Sequence, residues 1–541
     1  MKIEYVDGEL IKKLFMGAAA SLEKNKQSIN DLNVFPVPDG DTGTNMSLTV
    51  QSAVKQIKSL NSNNINDIAK AMSNGTLMGA RGNSGVILSQ LFRGFANGLK
   101  NKNKLDTKII ANAFKLGSDT AYKAVMKPTE GTILTIAREC SEKALEVSNY
   151  ETDMIVFLEK VIKHGEIILK KTPEMLDVLK KAGVVDAGGK GLLIILKGAL
   201  EALTGGENYF FEDIDDIENE MTVVQNHDLE DITFGYCTEF IINNTDSNVD
   251  DIRNEFLKAG DSLLVVGSDN IIKVHVHTNN PGDVLMKALA HGELIDIKID
   301  NMKYQHRSKV ISDAADEIIE TSQKKYGFIT VAMGEGIKNV FKDLNADYVI
   351  TGGQTMNPST EDILKAVNQI TAKNIIILPN NSNIVLAANQ AKELSDKNIY
   401  VVPTKTIPQG ISALLVFDED LDIDDNINEM NSVIEDVKTG EVTFAVRDTE
   451  INNKKINKDD IMGICDGEIL TVGNDINEVS FELIKNTATD ENELITIFYG
   501  EDIEEEKANQ LVKKLEAELK DFDIAIIYGG QPLYYYIFSI E

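Results

Sequence analysis

The sequence predicts a multidomain protein with an all-α N-terminal domain, a small α+β middle domain and an α/β C-terminal domain. Its 541 residues exceed what one hydrophobic core usually contains, and the length suggests about three domains. Apolar residues recur with a helical period through the first 205 residues, whereas runs rich in Val, Ile and Phe begin only after residue 232. From residue 326 short apolar strands alternate with helices, which is typical of a parallel sheet.

The predicted helices of the first domain share an apolar stripe with a 3.6-residue period. In the first of them the stripe contains Leu10, Leu14 and Leu22. Turns rich in Gly and Pro separate the helices, so a bundle with functional loops at one end fits the pattern. The predicted helices are Gly8–Asn30, Asn66–Gly75, Gly85–Lys100, Thr107–Met126, Gly131–Ser148, Asp153–Leu169 and Gly188–Leu203.

The later domains are predicted from β-branched runs and the helices between them. The middle domain has expected strands at Thr233–Asn243, Ser262–Ser268 and Asn270–Thr278, and expected helices at Val249–Ala259 and Pro281–His291. The C-terminal domain has expected strands at Tyr326–Met333, Tyr348–Thr351, Asn374–Pro379, Ile399–Pro403, Glu441–Arg447, Leu494–Tyr499 and Ile524–Tyr528. Its expected helices are Gly336–Leu344, Ser359–Gln369, Ser382–Leu394, Asp418–Asp436 and Glu504–Leu519.

An acidic segment separates the first two domains. Residues 212–231 contain nine acidic residues and no Lys or Arg, which is typical of a solvated linker. We therefore expect a helical domain at 1–205, an acidic linker at 206–231, a middle domain at 232–308, a connecting helix at 309–325 and a C-terminal domain at 326–541.

The formal charge of −32 argues against a nucleic-acid binder and against docking on an anionic membrane. The charge is unevenly distributed. Residues 1–200 contain 24 Lys and 3 Arg against 10 Asp and 11 Glu, a formal charge of +6, so the remainder carries −38. An anionic substrate such as a nucleotide is therefore expected in the first domain.

The cysteines and the N-terminus predict a cytoplasmic location. Cys140, Cys237 and Cys465 are too few and too widely spaced for a disulfide framework, which favours a reducing compartment. The N-terminal residues are charged and lack the apolar core of a signal peptide. No apolar run approaches the roughly 20 residues that a transmembrane helix needs.

The segment Asn33–Met46 carries the strongest indication of chemistry. Its loop contains Asp39-Gly-Asp41, followed by Thr42, Gly43 and Thr44. Carboxylates are preferred ligands of Mg²⁺, with phosphate oxygens completing the shell, and glycines permit close backbone approach. The alternative is an ordinary turn whose Asp residues cap the next helix.

Three further glycine-bearing turns open apolar helices. One contains Arg81, Gly82, Asn83 and Ser84, and Arg81 offers a guanidinium fork suited to an anion. The other two are Glu130-Gly131-Thr132 and the turn from Asp186 to Gly191. Such turns bind phosphate through free N–H groups at a helix start, but each can also be a simple helix cap.

These motifs together resemble the dihydroxyacetone kinase family, and most closely the ATP-binding subunit of bacterial fatty acid kinases, a DhaL-type protein. The resemblance rests on VPDGDTGTNM, GARGNSGVILSQ, PTEGTILT and AGVVDAGGKGL in the first domain. It extends through the later motifs GYCTEF, KVHVHTNNPG, TGGQTMNPST and YGGQPLYYY.

The resemblance implies a DhaL-like helical barrel that binds ATP with two Mg²⁺ ions. Asp39 and Asp41 would be metal ligands. Simpler dihydroxyacetone kinases use a third Asp slightly upstream, where this chain offers Asn33, so the identity of the third ligand stays open. Thr42, Thr44, Asn45, Asn83 and Ser84 would hold phosphates. Gly131, Thr132 and Asp186 would lie near the nucleoside, and Arg81 would supplement catalysis.

The middle domain contains a possible zinc site. His275 and His277 lie two apart on a predicted strand and therefore share a face, and Cys237 lies on another predicted strand. Two His and one Cys suit Zn²⁺, and the resemblance implies a zinc site at these motifs. The alternative is that the three side chains pack or hydrogen-bond without metal.

The resemblance implies a phosphotransferase with a carboxyl acceptor. The substrate would be a fatty acid presented by a separate DegV-like carrier protein, and the product an acyl phosphate. The C-terminal domain, itself DegV-like, would bind this partner and would not be needed for ATP, and the protein would form a homodimer. The alternatives are a kinase of dihydroxyacetone or another small polyol, and a non-catalytic acyl-carrier scaffold.

Overall fold

The computed structural model of the chain describes residues 2–33, 40–125, 127–205, 236–245, 249–256, 259–268, 270–301, 324–353, 356–451, 454–489 and 492–541. The predicted acidic linker lies outside these residues, and so does the predicted connecting helix up to residue 323. Lys324 and Lys325, the last two residues of that prediction, begin a strand instead.

The described part of the N-terminal domain is entirely helical apart from an isolated bridge between Val6 and Leu105. Successive long helices pack on one another from α1 to α7, and α10 packs on both α7 and α1. The long helices therefore close a ring, which is a helical barrel. The helices are α1 Gly8–Asn30, α2 Thr42–Lys58, α3 Ile65–Met78, α4 Gly82–Gly98, α5 Thr107–Ala124, α6 Ile133–Val147, α7 Met154–Leu169, α8 Thr172–Met175, α9 Asp177–Ala182 and α10 Ala187–Thr204.

Side-chain caps and an apolar interior explain why these segments form a barrel. Asp7, Asp106 and Asp153 each accept a hydrogen bond from a backbone N–H in the first turn of the helix that follows. The apolar stripes point inward and enclose a cavity of about 140 Å³ lined almost wholly by hydrophobic side chains. The close contact of α1 with α10 requires small residues, because a Cβ on Gly17 would lie 2.7 Å from the Gly198 carbonyl oxygen.

The described part of the middle domain is a four-stranded antiparallel sheet with the order β2-β3-β1-β4. Phe240, Val265, Val274 and Val276 form its core together with Phe256 of a helix. The elements are β1 Tyr236–Thr245, α11 Val249–Phe256, β2 Asp261–Ser268, β3 Asn270–Thr278, α12 Pro281–Ala288 and β4 Glu293–Asn301.

The C-terminal domain has the predicted α/β architecture, and its strands form two main sheets. The first is parallel, with the order β6-β5-β7-β8, and the second is mixed, with the order β13-β12-β9-β16-β14-β15. The strands are β5 Lys324–Ala332, β6 Tyr348–Thr351, β7 Ala372–Leu378, β8 Asn398–Val401, β9 Lys438–Phe444, β10 Thr449–Ile451, β11 Lys454–Ile456, β12 Ile461–Cys465, β13 Glu468–Gly473, β14 Leu494–Tyr499, β15 Asp523–Tyr528 and β16 Tyr536–Ile540. The helices are α13 Glu335–Asp343, α14 Thr360–Gln369, α15 Val385–Leu394, α16 Ile407–Leu415, α17 Ile423–Asp436, α18 Ile476–Thr487 and α19 Glu505–Glu518.

The chain divides into two compact units, and the helical and C-terminal domains belong to the same one. This unit comprises residues 1–209 and 323–541, and the other comprises residues 210–322. Inside the first unit, Ala80 and Val86 of the helical domain are buried in one hydrophobic core with Ile329, Val331 and Ile363 of the C-terminal domain. A shared core makes the relative position of these two domains part of the fold.

The predicted fold class is confirmed, but the prediction lacks several elements. These are helices α2, α8, α9, α16 and α18 and strands β4, β10, β11, β12, β13 and β16. Helix α2 is missing because Thr, Ser and Gln interrupt its apolar stripe. Strand β4 is missing because its apolar residues alternate with Asp and Lys in a short segment. No helix in the described part of the chain is long and apolar enough to cross a membrane.

Candidate active site

A cleft of about 370 Å³ lies at one end of the helical barrel. Helices α2, α4, α6 and α10 all begin at this cleft, although their first residues are far apart in the sequence. The predicted site residues that line it are Asn33, Asp41, Thr42, Asn45, Asn83, Ser84, Thr132 and Asp186. The four glycine-bearing turns therefore meet at one site.

The first turn is fixed by an asparagine that the sequence analysis did not single out. The Asn30 side-chain oxygen accepts from the backbone N–H of Gly43 at 2.7 Å and of Thr44 at 3.2 Å, and its Nδ2 donates to the Thr44 hydroxyl at 3.0 Å. This pairing keeps Thr44 out of the cleft lining. A Cβ on Gly43 would lie 2.1 Å from the Lys26 carbonyl oxygen, so only glycine fits the close approach of α2 to α1.

Asp41 stands immediately before α2 without capping it through its own side chain. Its Oδ2 accepts a hydrogen bond from Asn357 of the C-terminal domain. Nearby, the Thr42 hydroxyl donates to Asn33 Oδ1 at 2.8 Å, which places the proposed third metal ligand beside the start of the helix. Asp39 lies outside the described residues.

The second turn packs directly against the first. Gly82 has a φ of +58°, and a Cβ there would lie 2.4 Å from Nδ2 of the buried Asn45, so this position requires glycine. The Asn83 side chain donates to Asn383 at 3.2 Å, while its buried Oδ1 has no hydrogen-bond partner among the described residues. An unpaired buried amide oxygen at a helix start is available to a ligand.

The third turn is stabilised by hydrogen bonds among neighbouring polar groups. The Gly131 N–H donates to the Thr135 hydroxyl at 2.8 Å, which in turn donates to Glu130 at 2.6 Å. Gly131 itself, with a φ of +83°, shapes the turn without lining the cleft. Thr132 is the N-cap of α6, donates to the Thr129 carbonyl and lines the cleft.

The fourth turn presents a carboxyl group with a shifted pKa. Asp186 is the N-cap of α10, and its Oδ2 accepts from the Gly189 N–H at 2.6 Å. Burial raises the pKa of Asp186 to about 6, although its hydrogen bonds with the backbone of Gly189 and Ile133 oppose the shift. A fraction of the Asp186 carboxyl groups is therefore protonated near neutral pH.

Three loops of the C-terminal domain reach these turns. Asn357 contacts Asp41, Asn383 contacts Asn83 and lines the cleft, and Arg447 donates to the Asn33 carbonyl. The loops of Asn357 and Asn383 follow strands β6 and β7, so they leave the carboxyl edge of a parallel sheet, where ligand sites form in such folds. The C-terminal domain thus contributes Asn383 to the lining of the cleft.

The segment that contains Asn357 is TGGQTMNPST, one of the motifs that carry the family resemblance. Ser359 and Asp362 do form a capping box at the start of α14. Gln354 and Thr355 of the same segment lie outside the described residues. The sequence offered a signal for a loop at a strand end, but no signal that it faces the helical domain.

Arg81 lies between the two domains and does not line the cleft. Its guanidinium donates to the Asn357 carbonyl at 2.7 Å and pairs with Asp362 at 3.3 Å. Burial alone would raise the pKa of Asp362, but its hydrogen bonds with Ser359 and the Arg81 charge lower that pKa overall. Arg81 thus anchors the loop that carries Asn357.

The cleft is suited to an anion that arrives with a cation. Four helices begin at the cleft, so the positive ends of their dipoles lie there. Among the described residues no Lys or Arg lines the cleft, whereas carboxylate, hydroxyl and amide oxygens do. Oxygen donors of this kind fit Mg²⁺, and a metal ion would supply the positive charge that the side chains do not.

The backbone of the middle domain brings the predicted zinc ligands to one place in the sheet. Cys237 of β1 is the register partner of His277 of β3, and Glu239 is the partner of His275. Phe240 and Val276 are buried in the core, and Cys237, His275 and His277 occupy the alternate positions of the two strands. Their side chains lie outside the described part of the structure.

Comparison with known families agrees with this architecture. Residues 36–201 match the DAK2 domain, which places the chain among the DAK2-domain proteins. Residues 233–309 match the middle domain of the FakA-like fatty acid kinase family, and residues 327–541 match the C-terminal domain of the same family. The chain therefore belongs to the FakA-like fatty acid kinase family.

Curated relatives align over the whole chain. Protein YloV of Bacillus subtilis is 44% identical over 553 residues, and an uncharacterized protein of Staphylococcus aureus is 41% identical over 549 residues; both alignments cover 100% of each chain. Among solved structures, a DegV family protein from Ruminococcus gnavus matches with a TM-score of 0.31 at 14% identity, covering 40% of this chain and 99% of that one. A similarity this weak supports no inference about function.

Proposed function

We propose that the chain is the ATP-dependent catalytic subunit of a fatty acid kinase. It would transfer a phosphoryl group from ATP to the carboxylate of a fatty acid and give an acyl phosphate. The observation that carries this proposal is the meeting of four glycine-bearing helix starts around Asp41 in one polar cleft. Membership of the FakA-like fatty acid kinase family supports the choice of acceptor.

The cleft residues divide into metal-binding and nucleotide-binding groups in this proposal. Asp41, with Asp39 and Asn33, would hold two Mg²⁺ ions, which neutralise phosphate charge when bound. Thr42, Asn45, Asn83 and Ser84 would hold the phosphates together with the N-terminus of α4. Thr132 and Asp186 would contact the nucleoside, while Thr44 and Gly131 would shape their turns.

The acceptor chemistry requires positioning more than proton transfer. A fatty acid carboxylate is already ionised near neutral pH, so no general base is needed. The cleft offers a polar lining for a head group and only a few apolar side chains for a long acyl chain. A separate DegV-like carrier that presents the fatty acid therefore suits this site, and a family defined by one subunit of a kinase is consistent with such a partner.

Two further features belong to the proposal. We expect Cys237, His275 and His277 to bind Zn²⁺, because the register places them on one face of adjacent strands. Metal analysis of the purified chain should find one zinc per chain. Cys237→Ser should remove this zinc, while Cys465→Ser serves as the control. Full zinc occupancy in the Cys237 variant would contradict the zinc assignment.

We also expect the protein to form a homodimer, which analytical ultracentrifugation tests.

The function is tested by measuring product with two acceptors. Hydroxylamine trapping should detect acyl phosphate when the chain, Mg-ATP and a fatty-acid-loaded DegV-like carrier are combined. Dihydroxyacetone in place of the loaded carrier should give no ATP consumption above background. The reverse pattern would favour a polyol kinase, and no ATP consumption with any acceptor would favour a non-catalytic scaffold.

A further inference from the structure

The C-terminal domain supplies one residue of the cleft lining, Asn383, and hydrogen bonds join the two domains beside the cleft. Asn357 is 2% exposed and lies between the first two turns of the helical domain. Its side-chain Nδ2 donates to Asp41, and its backbone carbonyl accepts from Arg81 at 2.7 Å. One residue of the C-terminal domain thus bonds to the predicted metal ligand and to the neighbouring turn.

The hydrogen bond from Asn357 restricts the Asp41 carboxylate. It occupies Oδ2 and limits the rotation of the group. Partners of this type orient metal ligands, and their removal typically weakens metal binding by about 10–100-fold. The contact would therefore matter for metal affinity even if Asn357 itself never touches the ion.

Unpaired oxygens mark the same region. Asn357 Oδ1 and Asn83 Oδ1 are buried and have no hydrogen-bond partner within the described part of the chain. Native structures leave few buried polar atoms unpaired, and those that remain call for a ligand, an ion or water. Both atoms belong to asparagines that join the two domains at the cleft, through Asp41 and Asn383.

We propose that the C-terminal domain completes the nucleotide site, with Asn357 positioning Asp41 for the metal and Asn383 positioning Asn83 for the phosphates. This inference rests on the proposed function, because it assumes that the cleft binds Mg-ATP. It adds two positioning residues from a domain that the sequence assigned only to the partner. It also makes nucleotide affinity depend on how the two domains are docked.

The test measures binding, not turnover, in the full chain. Isothermal titration with a non-hydrolysable ATP analogue over a series of Mg²⁺ concentrations compares the wild type with Asn357→Ala and Asn383→Ala. We expect Asn357→Ala to raise the Mg²⁺ concentration needed for half-saturation about tenfold. Asn383→Ala should weaken analogue binding a few-fold with a smaller change in the Mg²⁺ requirement.

A buried asparagine elsewhere in the C-terminal domain provides the matched control. Asn426 lies in the first turn of α17 and bonds to backbone groups of Asp418, Leu421 and Asp422, which precede the helix. Asn426→Ala should lower the melting temperature without changing the Mg²⁺ requirement. Asn357→Ser keeps a donor hydroxyl and should recover part of the affinity, which a merely structural role for Asn357 would not predict.

The outcomes separate the inference from the function on which it rests. Wild-type Mg²⁺ requirements in both Asn357 variants, with binding lost in Asp41→Ala, would overturn the inference and leave the proposed function standing. Wild-type binding in Asp41→Ala would overturn both. A Mg²⁺ requirement raised in the Asn357 variants but not in Asn426→Ala supports the inference.

Discussion

The two sides of the cleft differ in what they bring to it. The helical side supplies four helix starts and the Asp41 carboxylate. The C-terminal side supplies the neutral amides of Asn357 and Asn383, and Arg447 bound to a backbone carbonyl. Under the proposed function, the helical domain would hold the ligand and the C-terminal domain would position the residues that hold it.

Replacing a group on the helical side should have the largest effect. Asp41→Asn removes a negative charge that the proposed metal requires, so we expect ATP turnover to fall by about a hundredfold or more. Asp67→Asn, an exposed Asp in the first turn of α3, is the control and should leave turnover unchanged. Turnover within a few-fold of wild type in the Asp41 variant would contradict the metal assignment.

Replacing the link between the two sides should act mainly on stability. Arg81→Ala removes a charged hydrogen bond to Asn357 and the ion pair with Asp362, so chemical denaturation should show a loss of about 2 kcal/mol. The control is Arg93, an exposed arginine of α4. The free energy of unfolding of Arg93→Ala should stay within about 0.5 kcal/mol of the wild-type value. A large loss of turnover with unchanged stability would instead assign Arg81 to catalysis, as the sequence suggested.

The smallest expected effect is a change in pH dependence. The pKa of Asp186 is raised to about 6 in the folded chain, so the folded state holds this proton more tightly than the unfolded state. The stabilisation is complete below the unfolded pKa and is lost as the pH rises through about 6. Asp186→Asn keeps the helix cap and should abolish this loss.

Unfolding measurements from pH 4 to pH 7 test this directly. Above pH 6 the Asp186→Asn variant should be more stable than wild type by about 1 kcal/mol, allowing for the partial exposure of the side chain. At pH 4 the two free energies of unfolding should converge. A difference that is independent of pH would show that the pKa of Asp186 is not shifted.

Local sequence patterns were sufficient to predict most of the fold. The stripe through Leu10, Leu14 and Leu22 gave α1 with the observed bounds, because a helical period over 23 residues has few alternatives. Helix α2 was not predicted, because its apolar residues, such as Val50 and Val54, are mixed with buried polar residues. Strand β4 was not predicted, because a short segment with alternating charged residues resembles a loop.

The site was predictable one turn at a time. Glycine, Asp and Thr at a helix start indicate an anion site locally, and Asp41, Thr132 and Asp186 do line the cleft. The contribution of Asn357, more than 300 residues from Asp41, could not be predicted, because it depends on a shared core between domains. The role of Asn30 could not be predicted either, because the sequence at the end of a helix does not indicate which loop a side chain there will bind.

The central claim is that a metal–nucleotide complex binds where the four helix starts meet. Crystals of the full chain with Mn²⁺ and a non-hydrolysable ATP analogue test it most directly, because Mn²⁺ replaces Mg²⁺ and gives an anomalous signal. The account predicts an anomalous peak within coordination distance of the Asp41 carboxylate, with the phosphates against the N-termini of α2 and α4. A well-ordered nucleotide with its metal elsewhere on the chain would contradict the account.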